Sequence, residues 1–256
     1  MSENDYGKWA VVAGASEGLG AAFAQALAAR GHSLVLIARR PQPLEELAAE
    51  LRAAHRIEVI CQAADLATFD PRALLTDKEI GVLVCNAAAA AMGPFDSQSL
   101  ASAELSIDVN CRAPVRFLNA VLPAMVKRRR GAVVLLSSLT AFQGAPFISV
   151  YGATKAFNLS LAEGLWAELR PHGVDVLAVC PGATLTPNYL RASAKGAAPG
   201  ELEPTQVARE ALARLGRGPL MIPGAFNRFA AWAMALMPLR SRIALMGSQT
   251  RKLLKG

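Results

Sequence analysis

Short unbroken apolar runs, each followed by a segment of helical spacing, recur along this chain, and few architectures satisfy such an alternation. A strand covered on both faces reads as a continuous apolar run, and neighbouring parallel strands need a crossover long enough for a helix. "WAVVAG" at 9–14 and "SLVLIA" at 33–38 are such runs. "FAQALAARG" between them has helical spacing and ends at Gly31, a residue suited to closing a helix. After a second helix, in which Leu44, Leu47, Ala48 and Leu51 share a face, strand character resumes in "IEVICQAAD" and "GVLVCNA". "GAVVLLSS", a helix carrying residues 149–157, "VDVLAVCPG", a helix near 204–215 and "PLMIPG" complete the series. The pattern predicts an α/β fold: a doubly wound parallel sheet with helices on both faces, whose ligands bind beyond the carboxyl ends of the strands.

At 256 residues the chain is long enough for one such sheet and short for two, so residues 1–256 read as one domain. "RASAKGAAPGELEP" at 191–204 is small, polar and rich in Pro and Gly, and reads as a mobile loop. Cys61, Cys85, Cys111 and Cys180 form no CxxC pair and mostly fall in apolar runs, which predicts buried free thiols in a reducing compartment. His32, His55 and His172 form no cluster, so no metal centre is expected. The opening "MSENDYGKWAVVAGA" lacks a basic stretch followed by a cleavable apolar core, which points to the cytoplasm. "FAAWAMALMPL" at 229–239 is too short to span a bilayer and is broken by Pro238; it lies on a surface or covers a pocket. A net charge of +7 raises nucleic acid as a partner, but the densest basic run, "KRRR" at 127–130, lies where a helix should end and cations complement its dipole. No aromatic platform accompanies it, and no nucleic-acid partner is expected.

Directly after the first strand comes "AGASEGLG". Glycines at 14, 18 and 20 allow a tight turn and a close backbone approach to a pyrophosphate, whose charge meets the amides at a helix start. A close strand-to-helix crossing would use the same glycines. The position in the first βαβ unit favours a dinucleotide, cradled by Gly14, Ser16, Glu17, Gly18, Leu19 and Gly20. The second strand ends in Arg39 and Arg40, where a carboxylate would suit the ribose hydroxyls of NAD. Paired guanidiniums suit a 2′-phosphate, so the expected cofactor is NADP(H).

In "SVYGATKAF", Tyr151 stands one helical turn before Lys155. A free phenol titrates near ~10, and a neighbouring cation lowers that value, making the pair a usable acid and base. With "AGASEGLG", "CNAA" at 85–88, "DVNCRAP" around Asn110, "LLSS" ending at Ser138, "YGATK" and "PGATLT" at 181–186, the chain resembles the short-chain dehydrogenase/reductase family over about residues 9–190, in its NADP-preferring branch. The resemblance implies a Rossmann-like fold and a catalytic tetrad of Asn110, Ser138, Tyr151 and Lys155. Tyr151 would donate a proton to the substrate carbonyl oxygen that Ser138 also binds, Lys155 would lower the tyrosine pKa and hold the nicotinamide ribose, and Asn110 would position a relay water. It likewise assigns Asp65 and Leu66 to the adenine edge, and Asn86, Ala87 and Ala88 to the adenosine ribose. Pro181, Gly182, Thr184 and Thr186 fall to the nicotinamide, beside Tyr151 and Lys155. Ala13 departs from the family's usual threonine, and Ala88 from its usual glycine.

Residues 9–190 thus read as the cofactor-binding and catalytic core, and 187–256 as a substrate loop and C-terminal segment. Phe226, Phe229, Trp232, Met234 and Met237 in that segment either pack on the core or a second subunit, or form an apolar wall for a steroid-like, acyl or aromatic ketone. Basic residues at 228, 240 and 242 also leave open a contact with a membrane surface. The expected activity is interconversion of a carbonyl and an alcohol on a small molecule, in a homodimer or homotetramer as the family resemblance implies. A non-catalytic NADP(H) sensor or scaffold is the alternative.

Overall fold

The computed structural model describes residues 6–192 and 198–253, so residues 193–197 of the stretch read as a mobile loop lie outside the described residues. The apolar runs become β1 (Trp9–Ala13), β2 (Ser33–Ala38), β3 (Val59–Ala63), β4 (Ile80–Cys85), β5 (Gly131–Leu136), β6 (Val174–Val179) and β7 (Leu220–Met221). All neighbours pair in parallel, in the order β3-β2-β1-β4-β5-β6-β7. Every residue of β1, β2, β4 and β5 is buried, which is why these strands show no alternation in sequence. β7 contributes only two residues, because Pro219 and Pro223 flank it without amide donors.

Among the described residues eight α-helices lie between the strands, α1 (Gly18–Ala28), α2 (Pro41–His55), α3 (Arg72–Leu75), α4 (Leu100–Ile107), α5 (Ala113–Lys127), α6 (Ser149–Leu169), α7 (Pro187–Ala192) and α8 (Pro204–Arg214), and two follow β7, α9 (Ala225–Ala235) and α10 (Leu239–Leu253). Alternate side chains of β1 enter opposite cores. Ala10 and Val12 meet Phe23 and Leu27 of α1, Leu44 and Leu51 of α2, and Val207 and Leu212 of α8. Val11 and Ala13 share the other core with Phe117, Val121 and Met125 of α5 and Leu159 and Ala162 of α6. The sheet is doubly wound.

Gly31 closes α1 at φ +82. Its amide donates to Ala28 O at 2.9 Å, and that of His32 to Leu27 O at 3.2 Å, the two bonds of a Schellman turn. The basic run after α5 serves the opposite end of the sheet from the cleft described below. Arg128 donates to Ile80 O at the start of β4, Arg129 to Pro171 O at 2.7 Å, and Arg130 to Glu79 at 2.6 Å. These guanidiniums tie strand and helix ends together.

The chain runs from β1 through α1 to β2 on one side and returns with β4 on the other. That reversal opens a crevice at the carboxyl ends of β1 and β4. Phe23 is fully buried where α1 meets the sheet. Phe23→Ala should therefore lower unfolding free energy by about 3–5 kcal/mol. Urea titration should show a lower midpoint with an unchanged slope.

Candidate active site

The turn after β1 and the turn after β4 meet backbone to backbone. Gly14 has φ +88, and a Cβ built on it would lie 2.7 Å from the Ala87 amide nitrogen and Cα. The Ala13 carbonyl accepts from the amides of Asn86 (3.0 Å) and Ala87 (2.9 Å), and Asn86 Nδ2 donates to Gly14 O at 2.8 Å. A Cβ on Gly20 would fall 1.9 Å from that same Gly14 oxygen. Gly20 therefore serves the strand-to-helix crossing beneath the turn. Gly14 and Gly18 face the space above it.

That space is a cleft of about 640 Å³. Its walls are Gly14, Ser16, Glu17, Gly18 and Leu19 from the first turn, Arg39 and Arg40 after β2, Asp65 and Leu66 after β3, Asn86, Ala87 and Ala88 after β4, and Thr186 beyond β6. Sequence reasoning missed Asn188 and Arg191 of α7, and Leu105 and Val109 near the joint of α4 and α5. Pro181, Gly182, Thr184, Tyr151 and Lys155 are not among its walls. Gly182 abuts the Asn227 side chain, and Thr184 is buried with its hydroxyl on Gly182 O at 3.2 Å.

The walls suit a nicotinamide dinucleotide. Gly14 and Gly18 line the cleft without side chains, the start of α1 presents its amides, and guanidiniums stand at the end of β2. Those guanidiniums differ from one another. Arg40 is paired with Glu17 at 2.7 Å, whereas among the described residues no carboxylate is paired with Arg39. Glu17 also meets Arg191 at 3.3 Å, so one carboxylate links the glycine-rich turn to α7. Burial opposes its ionisation, but Arg40 and Arg191 outweigh that and hold the carboxyl below its usual range.

A five-residue π turn, Asp108–Arg112, interrupts the helix between α4 and α5 and carries Asn110. Asn110 is fully buried. Its Oδ1 accepts from the Ala89 amide at 2.7 Å, and its Nδ2 donates to Ala89 O at 2.8 Å and to Thr154 Oγ1 at 2.9 Å. Thr154 in turn donates to the Tyr151 carbonyl at 2.7 Å. Asn110 thus fastens the cleft wall to the helix that bears Tyr151 and Lys155. Asn158 Nδ2 holds the Asn110 carbonyl at 2.9 Å.

Lys155 is buried, with its Nζ 2.8 Å from Leu136 O and 5.5 Å from the Tyr151 ring centre. Ser137 donates to the Lys155 carbonyl at 2.7 Å, while Ser138 caps the next turn by accepting from Thr140 N at 3.2 Å. Desolvation pulls the Lys155 ammonium down to about 8, against the opposing influence of Cys180 and Cys111. Sequence reasoning expects this cation to lower the Tyr151 pKa. Within the protein's own residues the opposite holds: loss of water pushes the phenol up to about 12, countered only by hydrogen bonding from Ser138. The lysine ammonium is itself desolvated, with one of its donors on Leu136 O. Burial also raises the thiols of Cys85 to about 12 and Cys180 to about 11. Among the described residues no cluster of His, Cys, Asp and Glu could hold a metal ion, and no helix is long and apolar enough to cross a membrane.

Comparison with known proteins agrees with this geometry. Residues 8–195 match the family model of the short chain dehydrogenases. The 7beta-hydroxysteroid dehydrogenase of Clostridium sardiniense is 32% identical over 229 residues, 87% of this chain and 88% of that protein. A structure solved for insight into 7beta-hydroxysteroid dehydrogenase stereoselectivity superposes with a TM-score of 0.89 at 27% identity, covering 96% of this chain and 98% of that one. A short-chain dehydrogenase from Sphingobium yanoikuyae in complex with NADPH gives 0.79 at 37% identity, covering 91% and 95%.

The buried lysine predicts a pH signature of stability. Between pH 8 and the ordinary lysine value of 10.5, the unfolded chain holds a proton that the folded chain has released, so this residue makes stability rise with pH. Below that window both states are protonated and the full cost of burying the cation is present. Lys155→Met removes that cost, about 3 kcal/mol at ~1.4 kcal/mol per pKa unit, offset in part by the lost bond to Leu136 O. Urea unfolding without nucleotide should show the variant's advantage largest at neutral pH and shrinking as pH rises through the window; a constant difference would count against this assignment.

Proposed function

The chain belongs to the short-chain dehydrogenase family and is an oxidoreductase of that family, acting on CH–OH groups with a nicotinamide dinucleotide; from that premise we propose that it is an NADP(H)-dependent enzyme interconverting a lipophilic ketone and its alcohol. The observation that carries the reading is the joining of a dinucleotide cleft, at Ala89, to the helix of Tyr151 and Lys155 through the fully buried Asn110. Arg39 and Arg40, in place of a carboxylate after β2, favour the 2′-phosphate. The NADPH complex of the Sphingobium relative supports that choice, and the 7beta-hydroxysteroid dehydrogenase relatives support a bulky, apolar substrate. Unpaired cysteines suit a reducing, cytoplasmic setting.

When bound, the cofactor supplies or accepts the hydride. The turn at Gly14–Leu19 would hold its pyrophosphate, Arg39 and Arg40 the 2′-phosphate, Asp65 and Leu66 the adenine, and Asn86–Ala88 the adjoining ribose. Tyr151, whose desolvated phenol keeps its proton throughout the neutral range, is the proton donor to the substrate oxygen. Ser138 shares that oxygen as a second donor where negative charge develops. Lys155 stays largely protonated near neutral pH and stands behind the phenol, so that it stabilises the phenolate left after transfer. For alcohol oxidation the same side chain must first lose its proton, because only the phenolate can accept one, and its raised pKa makes that loss costly. Asn110 keeps the cleft wall and the Tyr151 helix in register.

Two outcomes test the reading. Tyr151→Phe removes only the donor, so NADPH affinity should stay within a few-fold while ketone reduction falls by about 10²–10⁴; retained turnover would refute the mechanism, and an inert wild type that binds NADPH tightly would favour the sensor. Glu17→Gln frees Arg40 and removes a negative charge from the cleft. It should lower the NADPH dissociation constant several-fold, on the order of 1 kcal/mol, and leave that for NADH nearly unchanged by fluorescence titration. An equal gain for both nucleotides would place the 2′-phosphate away from Arg40.

A further inference from the structure

The molecule's basic charge is concentrated at one end of the chain. Residues 211–256 contain eight lysines and arginines and no aspartate or glutamate, whereas the preceding 210 residues carry 19 basic against 20 acidic. Within that segment α9 is turned inside out. Asn227 is buried and Met234 partly so, while Phe226, Phe229, Trp232 and Leu236 are 53–71% exposed. They recur at helical spacing along one face, the Phe229 and Trp232 rings lie 5.9 Å apart, and Leu239 continues the strip into α10 at 53% exposed. Single exposed apolar residues are ordinary, but a contiguous strip marks an interaction surface.

The charges around the strip indicate what covers it. Arg228 and Arg240 are exposed beside the aromatic residues; Arg228 is ion-paired with Glu210 at 3.6 Å, and among the described residues no carboxylate is paired with Arg240. A bilayer carrying anionic lipids offers an apolar phase and a plane of negative charge together, and both requirements are met at its headgroup boundary. A second copy of this chain docked through the same strip would bring Arg228 and Arg240 against like charges. We infer that the outer face of α9, with the start of α10, docks reversibly on an anionic lipid membrane. Phe229 and Trp232 enter the headgroup boundary, and the arginines meet the lipid phosphates.

The inner side of the same helices reaches the catalytic edge. Asn227 donates to Gly200 O at 3.0 Å and lies against Gly182, and Ile243 of α10 is 3.5 Å from the position a Cβ on Gly144 would take, just before α6. Docking therefore sets the substrate side of the protein near the bilayer. That consequence for a lipophilic substrate rests on the function proposed above; the docking does not.

Flotation of the full-length protein with vesicles tests the inference, using phosphatidylcholine alone and phosphatidylcholine with about a quarter phosphatidylglycerol. Binding should be about tenfold or more stronger to the anionic vesicles and should fall towards baseline in about 0.5 M salt. Trp232→Glu and Arg240→Glu should each weaken it about tenfold while keeping the wild-type thermal midpoint, both positions being exposed. The inference is overturned if wild type ignores both vesicles, if Trp232→Glu binds as wild type does, or if light scattering shows that Trp232→Glu dissociates a dimer of a protein that does not float. Since flotation is scored without nucleotide or substrate, a protein that docks yet reduces no ketone leaves this inference standing and refutes the activity instead.

Discussion

The contact on which the rest of the structure depends is the backbone approach between the turn after β1 and the turn after β4. Gly14 and Ala87 are so close that no side chain fits between them, and the Ala13 carbonyl accepts from two amides of the facing turn. This contact holds the carboxyl ends of the two strands at the sheet's switch point, and the cleft is the space left above it. A methyl on Gly20 would strike the Gly14 carbonyl and prise the two turns apart. The glycines are therefore needed whether or not a phosphate is bound, so the close-crossing explanation and the ligand explanation describe one piece of architecture.

A second constraint follows from placing a lysine where water cannot reach it. The sheet gives Lys155 one acceptor, the Leu136 carbonyl, and the rest of its surroundings favour the neutral amine. The protein accepts a destabilising residue in the helix that Asn110 ties to its cleft wall, as functional sites commonly do. Asn110 has the opposite balance. Each of its side-chain polar atoms has a partner, so a fully buried polar group rigidifies the joint instead of straining it.

The fold was legible because every central strand is buried on both sides, and the cleft residues because they stand at strand ends, where a parallel sheet must put them. Gly31 was legible for the same kind of local reason: a left-handed residue closes α1. What escaped depends on contacts distant in sequence. Nothing in "SIDVNCRAP" announces a π turn, since the extra residue is accommodated by packing against the helix that carries Thr154 and Asn158. Arg191 stands at the cleft, where it meets Glu17, far away in the chain, and nothing in the sequence near residue 191 names that partner. The direction of the Tyr151 shift was missed for a related reason. Spacing places a cation one turn away, but how much water surrounds both groups is set by the sheet beneath them.

That last point bears on what Tyr151 needs from its neighbours. A phenol held near 12 keeps its proton but is a weaker acid than free tyrosine, so giving that proton up requires a neighbour that stabilises the phenolate. Lys155, kept below its ordinary value yet charged near neutrality, is the protein's own means of doing so, and its reach is limited by the bond to Leu136. Within the chain's own residues the electrostatics set how costly the phenolate is, and the same cost enters both directions of a reversible proton transfer. Alkaline conditions raise that cost, because the lysine loses its charge at about 8, well before the phenol titrates. The cost is built from burial, which takes water from the phenol and the ammonium together.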